Sequence, residues 1–600
     1  MKTLTLFFYV IFFMFSCLFS CTQETSQEFA SHENKKIFYF SRTIDPKTFD
    51  PQAQFDVSSG DFVSSIYDTL ISYHYLKRPY ELTPSLLESM PEKSKDGLTL
   101  TFKIRQGIHF HDNDCFLNGK GRELIADDVI YTIKRFADSR VNTLSWFLLD
   151  DLVEGLDEYR EDLKKNKDTH YDKFSISGIK KISSHSLSIK LKRDNPLALY
   201  AFASSSLSIV PREAVEKYGR KFNTTPVGTG PFILKEFNKK QTAILIKNPN
   251  YFMTYPKEGS KKDAELGFLS DAGKKLPLLD EVHIDFIPEA QPAMLKFKQG
   301  EIFWIGLDRD NFTQMAYREK DGSIALKDSW SDKYSLYQEP GLSSVYLVLN
   351  LKDKTLGKNK DLRKALAYTI DFEDKINLLN NGRAQKLHSI VPQTIWGSED
   401  EIGNYGYDFN LSKAKEYLAK AGYPEGKNLP PLTLTLQGSS SSHRDYFEYL
   451  RNAFSKIGVT LKPDYQTWSS FLKATERGDF QLASSAWQAD YPDPENFFLL
   501  FYGPNKPPGQ NSSSFSNKEY DSLYEQMRFM PNSPKRLEII TRMAKILQDE
   551  VPVIYDSSPV ISGLTQKWVK NFKRNMMISK PFKFLDIDKN LKDKILAKSH

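Results

Sequence analysis

At 600 residues the chain exceeds what one hydrophobic core fills, so several structural units are expected. Hydrophobic residues make up 40% and charged residues 26%, the composition of a soluble globular protein. A net charge of +6 over this length, with Lys interleaved among Asp and Glu, argues against nucleic-acid binding.

The N-terminus departs from that average. Lys2 precedes the apolar run Leu4-Thr5-Leu6-Phe7-Phe8-Tyr9-Val10-Ile11-Phe12-Phe13-Met14-Phe15, followed by Ser16-Cys17-Leu18-Phe19-Ser20-Cys21. A charged start, a short apolar core and small residues before a break describe an export signal rather than a spanning helix. Leu18-Phe19-Ser20-Cys21 resembles the lipobox of bacterial lipoproteins, which implies cleavage before Cys21 and lipid on its sulfur. Cleavage at an ordinary signal-peptidase site, without lipid, is the alternative. Cys17 fits less well, because Met14 stands where Leu is expected. Residues 1–20 are thus read as the signal and 21–35 as a polar tether. No later segment has the length to span a bilayer. A lipidated Cys21 leaves Cys115 without an intrachain partner, so the fold must rest on its core.

Ile37–Phe40 reads as the first strand. Ser58 to Tyr73 reads as a helix, with Phe62, Ile66 and Leu70 at helical spacing. Leu98–Ile104 alternates as a half-buried strand and runs on to His109-Phe110-His111-Asp112. Two histidines at alternate strand positions, with Asp112, Asp114 and Cys115 nearby, have the chemistry of metal ligands. No further His/Cys pair completes a site, and Phe116 stands where an EF-hand needs an oxygen, so a polar strand end is the better reading and no metal or cofactor is expected. Ala126–Arg135 opens a helix with carboxylates in its first turn. Pro226–Phe232 is a Gly/Pro turn without the spacing or Lys of a phosphate loop. Leu187–Leu191, Val282–Phe286 and Val345–Asn350 read as strands, Asp361–Ile376 and Ser412–Ala421 as helices. Leu432–Leu436, a helix from Tyr446 to Ile457 and Val459–Leu461 form a βαβ unit. Ser439–Asp445 holds Ser, His and Asp, but neighbours in one loop seldom converge and no G-x-S-x-G elbow is present.

After the strand-like Phe480–Ala483 comes Ala486-Trp487-Gln488-Ala489-Asp490-Tyr491-Pro492-Asp493-Pro494-Glu495-Asn496-Phe497. Two aromatics beside a carboxylate can hold an amine by ion pairing and cation–π attraction. The prolines around Asp493 pre-organise the backbone.

Collinear stretches over nearly the whole mature chain resemble the extracellular solute-binding proteins of peptide and nickel ABC importers (family 5, the dipeptide- and oligopeptide-binding group). They are Ile44-Asp45-Pro46, Leu100–Gly107, Ala126-Asp127-Asp128-Val129, Gly228-Thr229-Gly230-Pro231-Phe232 and Asn248-Pro249-Asn250-Tyr251. They continue with Leu362-Arg363-Lys364-Ala365-Leu366, Lys456-Ile457-Gly458-Val459 and Trp487-Gln488-Ala489-Asp490-Tyr491. The resemblance implies a two-lobed α/β periplasmic-binding-protein fold with a hinge, its first lobe discontinuous and carrying an added subdomain. Lobe I would take residues 36–70, 207–335 and 552–595, the subdomain 71–206, and lobe II 336–551. It implies a lipid-anchored, exported, non-enzymatic monomer that delivers peptides to an ABC permease. By the same resemblance Asp490 pairs with the ligand's N-terminal ammonium, Trp487 and Tyr491 wall the pocket, and the main chain of Ser484, Ser485 and Ala486 meets an extended ligand. Some oligopeptide binders carry Arg where Ser484 stands, to meet a ligand carboxylate. The same fold with a nickel-chelate, haem, opine or saccharide ligand, and a secreted hydrolase, are the alternatives.

Overall fold

The computed structural model describes residues 35–597, except 142, 167–170, 174, 320–322 and 580. The leader, Cys21 and the tether up to residue 34 lie outside the described residues. Two α/β lobes make up the molecule. In the first, Ile37–Arg42 lies parallel to Glu281–Phe286, which pairs antiparallel with Thr242–Lys247 and through it with Phe232–Asn238. A separate antiparallel sheet, centred on Thr99–Lys103 and Ser186–Lys190, is attached to this lobe beside the helix Ala126–Ala137. One apolar cluster joins these pieces, with Phe38, Phe62, Phe102, Phe136, Leu187, Val282 and Phe582 among its members. Each such burial contributes about 1.5–3 kcal/mol, and strands distant in the chain become neighbours to achieve it.

The second lobe holds the expected βαβ unit, in which Leu432–Gln437 and Leu461–Gln466 pair in parallel across the helix Ser441–Ser455. Leu434 and Leu436 pack on Leu450 and Phe454 of that helix. Beside them runs Leu482–Gln488, then Ser343–Leu349, then the long strand Val553–Gln566.

That long strand joins the lobes. Its first part pairs with Ser343–Leu349, and its second part, Val560–Gln566, with Tyr334–Pro340. The return connection crosses at Gly341, whose N–H donates to the Pro559 carbonyl at 2.9 Å. A Cβ on Gly341 would sit 2.5 Å from that oxygen, so glycine alone lets the two crossing segments approach this closely.

Three expectations need correction. The first helix spans only Val57–Ile66, one turn short of Leu70. Gly230 donates to the Ile66 carbonyl at 2.9 Å, and a Cβ there would lie 2.5 Å from it. This backbone approach takes over the helix end, and Ile71–Tyr73 becomes a strand. The helix expected over Asp361–Ile376 is two, Lys360–Thr369 and Phe372–Asn380, because Asp371 caps the second by accepting from the Asp374 N–H. In the second half of the βαβ unit the strand begins at Leu461, after a turn through Gly458.

His109 and His111 point to different partners. The exposed His109 ring contacts the Gly107 carbonyl, whereas His111 is buried against the Gly230 carbonyl at 2.9 Å. Burial pushes the His111 pKa down to about 4, so it stays neutral. Asp112 pairs with Lys120 at 2.7 Å. Among the described residues no helix is long and apolar enough to cross a membrane.

Candidate ligand-binding cleft

Leu482–Gln488 has a complete partner on one side only. Antiparallel pairing with Ser343–Leu349 runs its whole length, but Leu432–Gln437 pairs with it only at Leu482 and Ala483. The Asn350 N–H donates to the Gln481 carbonyl, and the Ala489 N–H to the Leu342 carbonyl. Odd-numbered residues between them therefore turn their backbone groups toward Ser343–Leu349. Even-numbered ones face the other way, so beyond Ala483 the main chains of Ser484, Ala486 and Gln488 present a strand edge that is unpaired among the described residues. Such an edge accepts an extended chain by main-chain hydrogen bonds. Ser485 differs from the expectation for Ser484–Ala486, since its backbone is committed to the neighbouring strand opposite Tyr346. The Ser484 and Ser485 hydroxyls lie against Tyr446 and Tyr346 of their own lobe.

Asp490 follows this edge. Its surface remains exposed, yet protein surrounds the carboxylate, the condition of a group lining an internal cleft. That setting pushes its pKa up to about 6, with Glu495 adding to the rise and a hydrogen bond from Asn496 opposing it. Asn496 is wholly buried. Its Nδ2 donates to Asp490 Oδ2 at 3.0 Å, and its Oδ1 accepts from the Asp490 N–H at 2.9 Å and the Trp487 indole N–H at 3.0 Å. Among the described residues no cation pairs with Asp490.

The other two carboxylates of the turn have structural duties. Asp493 forms a two-point ion pair with buried Arg536, at 2.6 and 2.8 Å. Buried Glu495 accepts hydrogen bonds from Tyr491 and Tyr524. Tyr491 is thereby fixed, and its ring stacks on Tyr200 of the opposite side at 5.6 Å and 12°. Tyr200 stacks in turn on Tyr73 at 6.4 Å. The Tyr73 hydroxyl is buried without a partner among the described residues; burial raises its pKa well above the usual value, and Tyr200 and Asp490 add to the rise. Further contacts close the lobes on each other. Arg193 lies over the Phe529 ring at 4.5 Å, and Arg309 pairs with Asp445 at 2.9 Å.

Asp490, Trp487 and Tyr491 thus meet in one place, with the edge of Ser484 and Ala486 beside them. Tyr73, Tyr200 and Asn496 were not anticipated. The first two come from the other lobe and carry no local signal; Asn496 gave only its place six residues beyond Asp490. In the Ser439–Asp445 stretch, Ser440 caps the helix Ser441–Ser455, with His443 Nδ1 2.7 Å from its hydroxyl. Asp445 faces Arg309 instead, so the three residues serve helix and lobe contact.

A family model for bacterial extracellular solute-binding proteins, family 5 (middle region), matches residues 81–509. The chain is 26% identical over 553 residues to the dipeptide-binding protein of Escherichia coli, covering 90% of this chain and 93% of the relative. It is 25% identical over 545 residues to heme-binding protein A of Haemophilus influenzae, covering 89% of each. Its fold superposes on the periplasmic binding protein DppA of Helicobacter pylori, solved with the peptide STSA. There the TM-score is 0.73 and the identity 22%, with 93% of this chain and all of the other covered. The chain belongs to the family 5 bacterial extracellular solute-binding proteins.

Proposed function

We propose that the protein is the extracytoplasmic binding component of an ABC importer. In this reading it captures peptides by their free amino terminus between closing lobes and hands them to the permease. The observation that carries it is Asp490, a carboxylate inside the cleft that no cation among the described residues neutralises, beside an unpaired strand edge. An ammonium there would restore the charge balance that burial has disturbed. The edge would bind backbone irrespective of side chain, which suits an importer of varied peptides. Relatives named for dipeptide binding, and the neighbour solved with a bound peptide, support the same reading.

Anchoring through lipid on Cys21 follows from the Leu18–Cys21 pattern, and a monomer suffices because both walls of the cleft come from one chain. The lobe boundaries belong to this proposal: residues 36–70, 207–335 and 552–595 as lobe I, 71–206 as its subdomain, and 336–551 as lobe II.

The test is thermal unfolding of the protein from residue 22 onward, freed of ligand by unfolding and refolding. A peptide at a hundred times its Kd stabilises by about 2.7 kcal/mol, a visible rise in Tm. The rise should appear with free amino termini and vanish on N-acetylation. A rise with both forms would refute the amine anchor. The relative named for haem binding motivates one second reading, haem as the ligand. It predicts a haem absorbance change on titration and no shift with peptides.

A further inference from the structure

The amide of Asn496 has one possible orientation. Both partners of its Oδ1, the Asp490 N–H and the Trp487 indole N–H, can only donate, and its Nδ2 faces a carboxylate oxygen. Turning the amide over would break all three hydrogen bonds, and Asn496 is itself wholly buried, so water does not replace them at its amide. We propose that Asn496 is the positioning residue of the amine site, fixing Asp490 so that one carboxylate oxygen is held by the protein and the other is kept for the ligand's ammonium. This rests on the reading that Asp490 receives a ligand amine.

No other group in the turn is free to do this. Asp493 is held by Arg536 and Glu495 by Tyr491 and Tyr524. The titratable groups coupled to Asp490 are Glu495 and Tyr491 from its own segment and Tyr73 from the opposite lobe. None of them supplies positive charge. The chemistry of the donor matters: a Lys or Arg at this position would neutralise Asp490 and compete with the ligand, and a second carboxylate would repel it. A neutral amide orients the carboxylate and leaves its charge available for a cationic ligand. Through the same Oδ1 it also ties down Trp487, so the acid and the pocket wall are held by one buried side chain.

The decisive experiment exchanges the two residues, Asp490→Asn together with Asn496→Asp. Donors and acceptors can re-form with roles reversed and the net charge is unchanged, but the carboxylate now sits at the inward position. Calorimetry with a free-amine dipeptide should show binding weakened by about a hundredfold. Wild-type affinity in the exchanged protein would overturn the proposal. Asn496→Leu supplies a second readout that needs no peptide: the carboxyl midpoint of Asp490, followed by NMR in the ligand-free protein. The midpoint should rise, and peptide affinity should fall about tenfold near pH 6 and recover only in part near pH 8, where the carboxylate is charged but no longer held in place. An unmoved midpoint would overturn the positioning role while leaving the amine reading intact. Equal affinity of the wild type for free and acetylated peptides would instead remove the amine reading itself.

Discussion

Two acidic turns on this chain look alike in sequence and are used in opposite ways. Asp112, in the turn after His111, meets Lys120 and the Gly121 N–H, which together hold its carboxyl below the usual range. Asp490, in the turn after Trp487, has a neutral amide and, among the described residues, no cation, and burial carries its carboxyl up to about 6. The first carboxylate is satisfied by its own turn and has nothing left to offer. The second is held in an unfavourable state by structure built around it, including the buried Asp493–Arg536 pair and the Tyr491–Glu495 contact. A strained, well-supported charge in a cleft marks a binding group; a relaxed charge at the surface does not.

The contrast can be broken most severely from beneath. Arg536→Met leaves Asp493 buried without its partner. It should cost about 3–5 kcal/mol of unfolding free energy, read by urea denaturation. A loss near zero would mean the pair does not support the turn.

Acid provides a gentler probe. The folded pKa of Asp490 lies above its unfolded value, so its contribution to ligand-free stability is greatest below about pH 4 and is lost as pH rises through about 6. Peptide affinity should run the other way, rising with pH through about 6 and levelling above 7 as the competing proton leaves. A flat affinity profile from pH 5 to 8 would show that Asp490 does not titrate against the ligand.

Smaller still is the cross-lobe stack. Tyr200→Leu removes the aromatic contact with Tyr491 and should weaken binding by about 0.5–1.5 kcal/mol, chiefly through faster release. At the bottom of the scale, Lys120→Ala releases Asp112 and should leave peptide affinity unchanged.

Much of this was readable before folding. Strict alternation in Leu98–Ile104 and Leu432–Leu436 reported real strands, because a two-residue period with one buried face has few other outcomes. The Asp490 stretch stood out for its aromatics and prolines. The errors arose where distant backbone decided the outcome. Leu70 kept helical spacing, yet Gly230 ends the helix at Ile66 from far along the chain. Ser485 has the same composition as Ser484 but the opposite backbone direction, which only strand pairing reveals. Tyr200 reaches Tyr491 across the lobes and Tyr73 stacks behind it, and no local pattern could have brought them there.

The most direct test pairs two measurements on Asp490→Ala, dipeptide affinity by calorimetry and Tm without ligand. Binding of free-amine peptides should fall by about a hundredfold or more, while the ligand-free Tm stays level or rises because an uncompensated charge has gone. Unchanged affinity, or a collapse of Tm that shows Asp490 to be structural like Asp493, would contradict it.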